Sequence, residues 1–248
     1  MLFRSRALVY VLRRGAYPEQ YQTYVKLFGT SSTAWKLGDG VLDQLLRAGE
    51  AENALKLAAF LMQKFPEPGK INHIHWRLRD ASHEFRLGRT NEQRIAQPLE
   101  IMVQHKPSDT DHINWMFDQA RGKLSAERRA NLLLAFQKHY KEPMPWHPFH
   151  HLSCMREIES EAGRIAVGKK YLALDNVYRK ADNRSHYHHY LRHIFDSPQV
   201  FAIKDKALVR PAEIKDKFNA LKAKYADDPD SLHDYMRQID RYIPDDGQ

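Results

Sequence analysis

Three observations predict an all-α fold, an α-solenoid of stacked helix-turn-helix hairpins with a helical C-terminal extension. Gly15, Gly49, Gly88 and Gly122 end short helical stretches and recur at a near-constant spacing, that of one helix-turn-helix repeat. A second helical stretch follows each glycine, and three of these run into proline: Pro66 and Pro68, Pro107, then Pro143 and Pro145. No stretch carries a β-hairpin signal of any weight, and there is no low-complexity linker. One hairpin cannot bury its apolar face alone, so a repeat of this period implies neighbours stacked in series.

The clearest hairpin spans Lys36 to Gly69. Val41 to Ala48 forms its first helix and ends at Gly49, the residue best able to take a left-handed cap conformation. The second helix starts near Glu50 and places Ala54, Leu57, Ala58 and Leu61 at i, i+3, i+4, i+7, one apolar stripe with room for close helix approach. Pro66 and Pro68 stop it. A unit over about 71–109 places Ile74, Leu78, Ala81 and Phe85 on its first helix. Its second carries Ile95, Leu99, Met102 and Val103, with Pro98 set to kink the helix or mark its first turn. In the next unit, over about 111–145, Trp115, Met116 and Ala120 precede Gly122, Ser125 is an N-cap, and Ala130, Leu133, Leu134 and Gln137 share a face. Upstream, residues 2–14 and 18–28 form a first pair with Tyr17, Tyr21, Tyr24, Val25 and Phe28; downstream, 152–162 and 165–178 form a looser pair around Gly163. Residues 1–180 are therefore read as the repeat array and 181–248 as the extension. In that extension a His- and Tyr-rich segment, Ser185–Phe195, is broken by Pro198. Pro211 then opens a helix carrying Ile214, Phe218, Leu221 and Tyr225, and a last short helix precedes an acidic tail.

Composition bounds the function. The chain has 248 residues, 42% hydrophobic, enough for a continuous core. Mean hydropathy is −0.67, and no apolar run approaches the ~18 residues that span a bilayer. A single cysteine, Cys154, excludes a disulfide framework and a Cys-rich zinc site, and reads as a small buried hydrophobe. The net charge of +8 favours polyanionic or acidic partners and is also ordinary for mitochondrial matrix proteins. The segment from Met1 to Pro18 holds Arg4, Arg6, Arg13 and Arg14 and no acid, the pattern of a mitochondrial targeting signal. The same residues also read as the first helix of the first repeat, so the expectation is an uncleaved segment folded into the array.

The stretch Lys36 to Gly69 resembles a pentatricopeptide repeat (PPR). The matching features are Leu42, Asp43 and Leu45, the Arg47-Ala48-Gly49 turn, the Glu52-Asn53-Ala54-Leu55 start of the second helix, and Pro68. The tetratricopeptide repeat is a close competitor with similar helix-pair geometry. The resemblance covers about residues 1–145 with decreasing quality. For a PPR protein it implies base reading by a polar residue near the start of each first helix and another closing the repeat. Those positions fall on Asp39 and Gly69, Ser5 and Trp35, Leu78 and Ser108, and His112 and Glu142. Glycine, leucine and tryptophan cannot supply the hydrogen bonds, so the resemblance implies a PPR-like scaffold with an eroded code.

Candidate chemistry is sparse. His186, His189 and His193 share a helical face, and the last two have the spacing of a two-histidine metal pair. A third ligand and a His-Glu-x-x-His motif are missing, so a polar aromatic patch is expected, and no metal. His147, His150 and His151 read as a packing loop, and Glu157, Glu159 and Glu161 as solvated. No phosphate-cradling glycine loop, nucleophile elbow or paired-carboxylate motif is present, so neither an enzyme, a cofactor nor a small-molecule substrate is expected. Arg77, Arg79, Arg86, Arg89 and Arg94, with Trp76 nearby, form either a phosphate-binding edge for RNA or an ordinary solvated helix face. Lys204, Lys206 and Arg210 have a weaker claim.

The expectation is a non-catalytic subunit of a large assembly in the mitochondrial matrix, held by protein neighbours and in some settings by RNA. A mitochondrial ribosome is favoured; an accessory subunit of the ATP synthase or of a respiratory complex fits the same residues. A free organellar RNA-binding factor is the alternative of a different class.

Overall fold

The structure is a computed structural model; it describes residues 17–180 and 184–201, together with Glu213, Asp216, Lys217, Asn219, Ala220 and Ala223. Among these the fold is all-α, with no strand. The chain divides into two compact units, one running to Leu124 and one starting at Ser125, a division that falls inside the stretch the periodicity treats as one array. Ser5, Gly15, the four arginines Arg4, Arg6, Arg13 and Arg14, Lys204, Lys206, Arg210 and the acidic tail lie outside the described residues.

Unit 1 contains α1 (Tyr17–Phe28), α2 (Ser32–Arg47), α3 (Ala51–Lys64), α4 (Pro68–His83), a π-helical turn (Glu92–Ala96) leading into α5 (Gln97–Met102), and α6 (Asp111–Ala120). The helices contact one another at one-repeat separations. First helices α2, α4 and α6 touch in series, second helices α1, α3 and α5 do the same, and α3 also packs on α2 and α4. The buried set on α3 (Ala54, Leu55, Leu57, Ala58, Leu61 and Met62) is a broad stripe suited to several neighbours.

The ends of these helices follow local chemistry. Ser31 caps α2 by accepting from the Ala34 N–H at 3.2 Å. At the other end Gly49 has φ +73°, and the Glu50 N–H donates to the Leu45 carbonyl at 3.0 Å, closing the helix as its turn glycine implied. Pro68 occupies the first turn of α4, where its missing N–H costs nothing. Pro98 sits at the start of α5, and the π-helical turn before it absorbs the register change, the Gln97 N–H reaching back to the Glu92 carbonyl.

Two expectations change here. Helix α2 starts at Ser32 and runs through Gly38 and Gly40, well before Val41. Gly38 is buried where α1 and α3 approach, and a Cβ there would collide with the Tyr21 ring and Leu61. The Tyr21 hydroxyl meanwhile donates to the Ala34 carbonyl at 2.6 Å, fixing the crossing. Phe85, expected on the apolar face of α4, lies beyond the helix end in the left-handed region, at φ +64°, and is exposed. The Arg86 N–H bonds the Ala81 carbonyl at 2.9 Å, so Phe85 takes the terminating position that Gly49 holds one hairpin earlier, and Gly88 (φ +99°) follows inside the loop.

Unit 2 contains α7 (Ala126–Gln137), α8 (Trp146–His150), a 3-10 helix (His151–Glu157), α9 (Glu161–Leu172), α10 (Asp175–Lys180), α11 (Arg184–Phe195) and α12 (Pro198–Phe201). Ser125 caps α7 as expected, accepting from the Arg128 N–H at 3.2 Å. Helix α7 packs against the 3-10 helix and α9, and α12 against α9, α11 and the 3-10 helix. The looser pair around Gly163 is not formed. Residues 151–157 make a 3-10 helix, and Gly163 lies in the first turn of α9, where its N–H bonds the Ser160 hydroxyl at 3.0 Å. A Cβ at Gly163 would meet the Glu127 carboxylate, a crowding that spacing alone cannot reveal.

Gly38→Ala is expected to destabilise unit 1 by about 1–3 kcal/mol through overpacking against Tyr21 and Leu61. The ordinary glycine-to-alanine gain in a helix, about 1 kcal/mol, has the opposite sign. Chemical denaturation separates the two; a more stable variant would remove the close crossing.

Candidate interaction face

The first helices of unit 1 carry a continuous set of polar and aromatic side chains. On α2 stand Trp35, Asp39 and Asp43; on α4, His73, Trp76, Arg77, Arg79 and Asp80; on α6, His112 and Trp115. Turn placement brings them together: α2 and α4 lie side by side, so residues one repeat apart become neighbours.

Arg77 is the centre of this face. Its Nε and one terminal nitrogen hold both oxygens of Asp39, at 2.6 and 3.0 Å, and the other terminal nitrogen holds Asp43 at 2.8 Å. His73 Nε2 lies 3.0 Å from the same Asp39 carboxylate. The Arg77 and Asp39 side chains are only about a fifth exposed, at 19% and 21%, so water screens this bidentate pair less than it would a surface pair. Burial alone would raise the Asp39 pKa; hydrogen bonds from His73 and Arg77 and their charge outweigh it and hold the carboxyl below its ordinary range.

The other expected phosphate contacts are placed as follows. Arg79 is bonded to Asp80 at 2.9 and 3.1 Å and to His112 Nδ1 at 3.2 Å. Arg86 is paired with Glu84. Arg94 lies over the Phe85 ring, its guanidinium carbon 3.7 Å from the centroid. Arg89 is exposed. The five do not form one unengaged cationic edge. Of the residues at base-reading positions, Leu78 is fully buried, Asp39 holds Arg77, Ser108 bonds Asn72 at 2.6 Å, and Trp35 packs edge-on to Phe65 at 5.5 Å. Glu142, in unit 2, is exposed. Trp76 is 42% exposed and lies 6.0 Å from His73, which is 6.0 Å from Trp35, so aromatic surface runs across α2 and α4.

One residue that periodicity took no notice of lies beneath this face. His75 is fully buried, and neither ring nitrogen has a hydrogen-bond partner among the described residues. Burial, and then the charges of His112 and His105, push its pKa down to about 3.

In unit 2 the His- and Tyr-rich segment becomes the inner face of α11. Tyr190 stacks between Tyr171 and Tyr178 at 4.8 and 5.0 Å, and the Tyr171 hydroxyl donates to the Tyr190 carbonyl at 3.0 Å. His189 sits 4.1 Å from Trp146, and His193 packs edge-on to Phe149 at 5.0 Å. Burial first, then neighbouring cationic groups, lower both histidines well below their ordinary range. Both imidazoles thus lie against aromatic rings; among the described residues no three His, Cys, Asp or Glu side chains converge as a metal would need. Gln137, from α7, ties the cluster together: its amide oxygen accepts from Tyr178 at 2.8 Å and from the Met144 N–H at 2.9 Å. Glu157 pairs with Arg129 at 2.6 Å instead of standing free in solvent. Cys154 is 2% exposed, its thiol directed at the Ala126 carbonyl, and burial pushes its pKa up to about 12. Among the described residues no helix is long and apolar enough to cross a membrane.

Comparison with protein-family models, curated proteins and solved structures gives no match.

The His75 geometry sets a pH dependence. Its folded pKa, about 3, lies below the unfolded 6.5, so the native state binds fewer protons and its stability is complete only above 6.5. Stability falls as pH drops through that window toward 3. Replacing His75 with leucine removes the term: between pH 6.5 and 5 the variant should gain about 2 kcal/mol relative to the parent chain. Denaturant titrations at the two pH values measure this, and parallel pH profiles would remove His75 from the account.

Proposed function

We propose that this chain is a non-catalytic scaffold, a PPR-like α-solenoid serving as a subunit of a large mitochondrial assembly, the mitochondrial ribosome before the ATP synthase or a respiratory complex. One observation carries the reading: the first-helix side chains that a single-strand reader would turn outward are bonded to one another. Arg77 is held by two carboxylates, Arg79 by Asp80 and His112, and Asn72 by Ser108, while Leu78 is buried. Binding a phosphate with Arg77 would mean breaking a bidentate pair, leaving the largely buried Asp39 with only His73 beside it and Asp43 with only Arg47, which offsets part of the gain. A face of satisfied ion pairs interleaved with Trp35, Trp76 and Trp115 has the composition of a protein-binding surface. The one-repeat contacts of unit 1 support the solenoid, since helix pairs stacked in series offer extended surfaces for neighbours. The mitochondrial setting rests on the Arg-rich, acid-free segment from Met1 to Pro18 and the net charge of +8.

Gradient fractionation of mitochondria carrying the tagged chain tests the assembly. The protein should sediment with a particle far larger than its own 29.1 kDa, and ribosomal RNA in the same fractions would select the ribosome. A free monomer in every preparation overturns the reading. The purified chain separates this from the free RNA-binding factor. Arg77→Ala should lower stability by about 1–3 kcal/mol by leaving the largely buried Asp39 without its guanidinium, Asp43 keeping Arg47, with little change in single-stranded RNA affinity. Tight, salt-dependent RNA binding that Arg77→Ala abolishes would favour the RNA-binding factor instead.

A further inference from the structure

We propose that Phe85 is a docking knob for a protein partner, one that offers an apolar pocket rimmed by carboxylates. The inference rests on the scaffold reading and names a contact point within it.

Phe85 combines two features that a mere helix stop does not need. Its backbone is in the left-handed region, at φ +64°, which L-residues with a bulky side chain avoid. Its ring is 63% exposed, among the most exposed of the large apolar side chains. A glycine would end α4 with neither strain nor an exposed ring, as Gly49 does for α2. The phenylalanine at this position supplies an outward ring and nothing to the core.

The ring is also held in place. Arg94 stacks on it at 3.7 Å, and the Arg94 Nε is buried with no hydrogen-bond partner among the described residues. Arg94 itself sits in the π-helical turn Glu92–Ala96, a second departure from regular backbone. The intervening loop is closed by its own bonds: the Arg89 N–H donates to Gln93 Oε1 at 3.3 Å, and the Gln93 N–H donates to Thr90 Oγ1 at 3.2 Å. Gly88, at φ +99°, lies so close to the Gln93 side chain that a Cβ would not fit. Two irregular backbone segments and a cross-braced loop thus pre-organise one ring and one guanidinium, lowering the ordering entropy lost on binding.

The chemistry around the ring selects the partner. Residues 83–94 hold three arginines against two glutamates, Arg86 being paired with Glu84. That is too little excess charge for a polyanion groove, which needs many phosphate contacts. A lone ring also gives only marginal hold on a lipid surface. An aromatic anchor beside arginines is the composition of a protein hot spot, and its complement is a hydrophobic pocket with acids at the edge.

The test uses the full-length chain in its native mitochondria. Phe85→Gly relieves the left-handed strain, so its melting temperature should match or exceed that of the parent. Its retention in the large particle should nonetheless fall at least tenfold, and Phe85→Tyr should restore it. Benzoylphenylalanine at position 85 should crosslink to one protein segment that carries apolar residues flanked by Asp or Glu. Full retention of Phe85→Gly while the parent chain co-sediments overturns this inference and leaves the scaffold reading standing. Crosslinks that run to nuclease-sensitive RNA, or to lipid, also overturn it. A parent chain that never leaves the monomer fractions removes both.

Discussion

Unit 1 depends on two-sided burial. Helix α3 presents a stripe too broad for its hairpin partner α2 to cover alone, and it is completed by α1, α4 and α5. Every other feature is small beside that term: a serine cap contributes about 1 kcal/mol, whereas each leucine fully withdrawn from water contributes about 1.5–3 kcal/mol. The same demand explains Gly38. Helices α1 and α3 approach over its bare Cα, and the Tyr21 ring fills the space a side chain would have taken. Close approach thus requires a residue that weakens an isolated helix, a trade that makes sense only where packing on both flanks dominates.

Polar groups follow the apolar scaffold. Ion pairs and hydrogen bonds link α2 to α4 (Asp39 with Arg77), α4 to α6 (Arg79 with His112) and α4 to the loop before α6 (Asn72 with Ser108). These links exist because stacking sets the helices in register, and in turn they fix that register more narrowly than apolar contact would. His75 is the exception: among the described residues it sits inside the packed layer with no hydrogen bond to offer direction, an arrangement that holds only while the ring is neutral.

Much of this architecture was legible from spacing. The turn at Gly49, the cap at Ser125 and the stop near Pro66 follow from rules that act within four residues, and each is found as read. So are the buried Ala54, Leu57, Ala58 and Leu61. What spacing missed are one helix end and the surroundings of one glycine. Phe85 has a helical period relative to Ile74, Leu78 and Ala81, yet the chain turns before reaching it, because the bond from Arg86 to Ala81 closes the helix first. Gly163, expected between the two helices of a looser pair, lies in the first turn of α9 beside the Glu127 carboxylate, some way back in the sequence. The basic edge was legible as composition only. That Arg77 is spoken for by Asp39 and Asp43 depends on the lateral alignment of α2 with α4, and no local rule contains that.

The buried Cys154 has a consequence of another kind. Only a thiolate reached by solvent reacts with an aromatic disulfide reagent, and this sulfur is 2% exposed with its proton strongly retained. The chain has one cysteine, so each modification event records a single opening of unit 2 around α7 and the 3-10 helix. Unit 2 therefore carries an intrinsic clock: its labelling rate, divided by that of an unhindered thiol, is the fraction of time the packing stands open, with each tenfold slowing equal to about 1.4 kcal/mol of local stability.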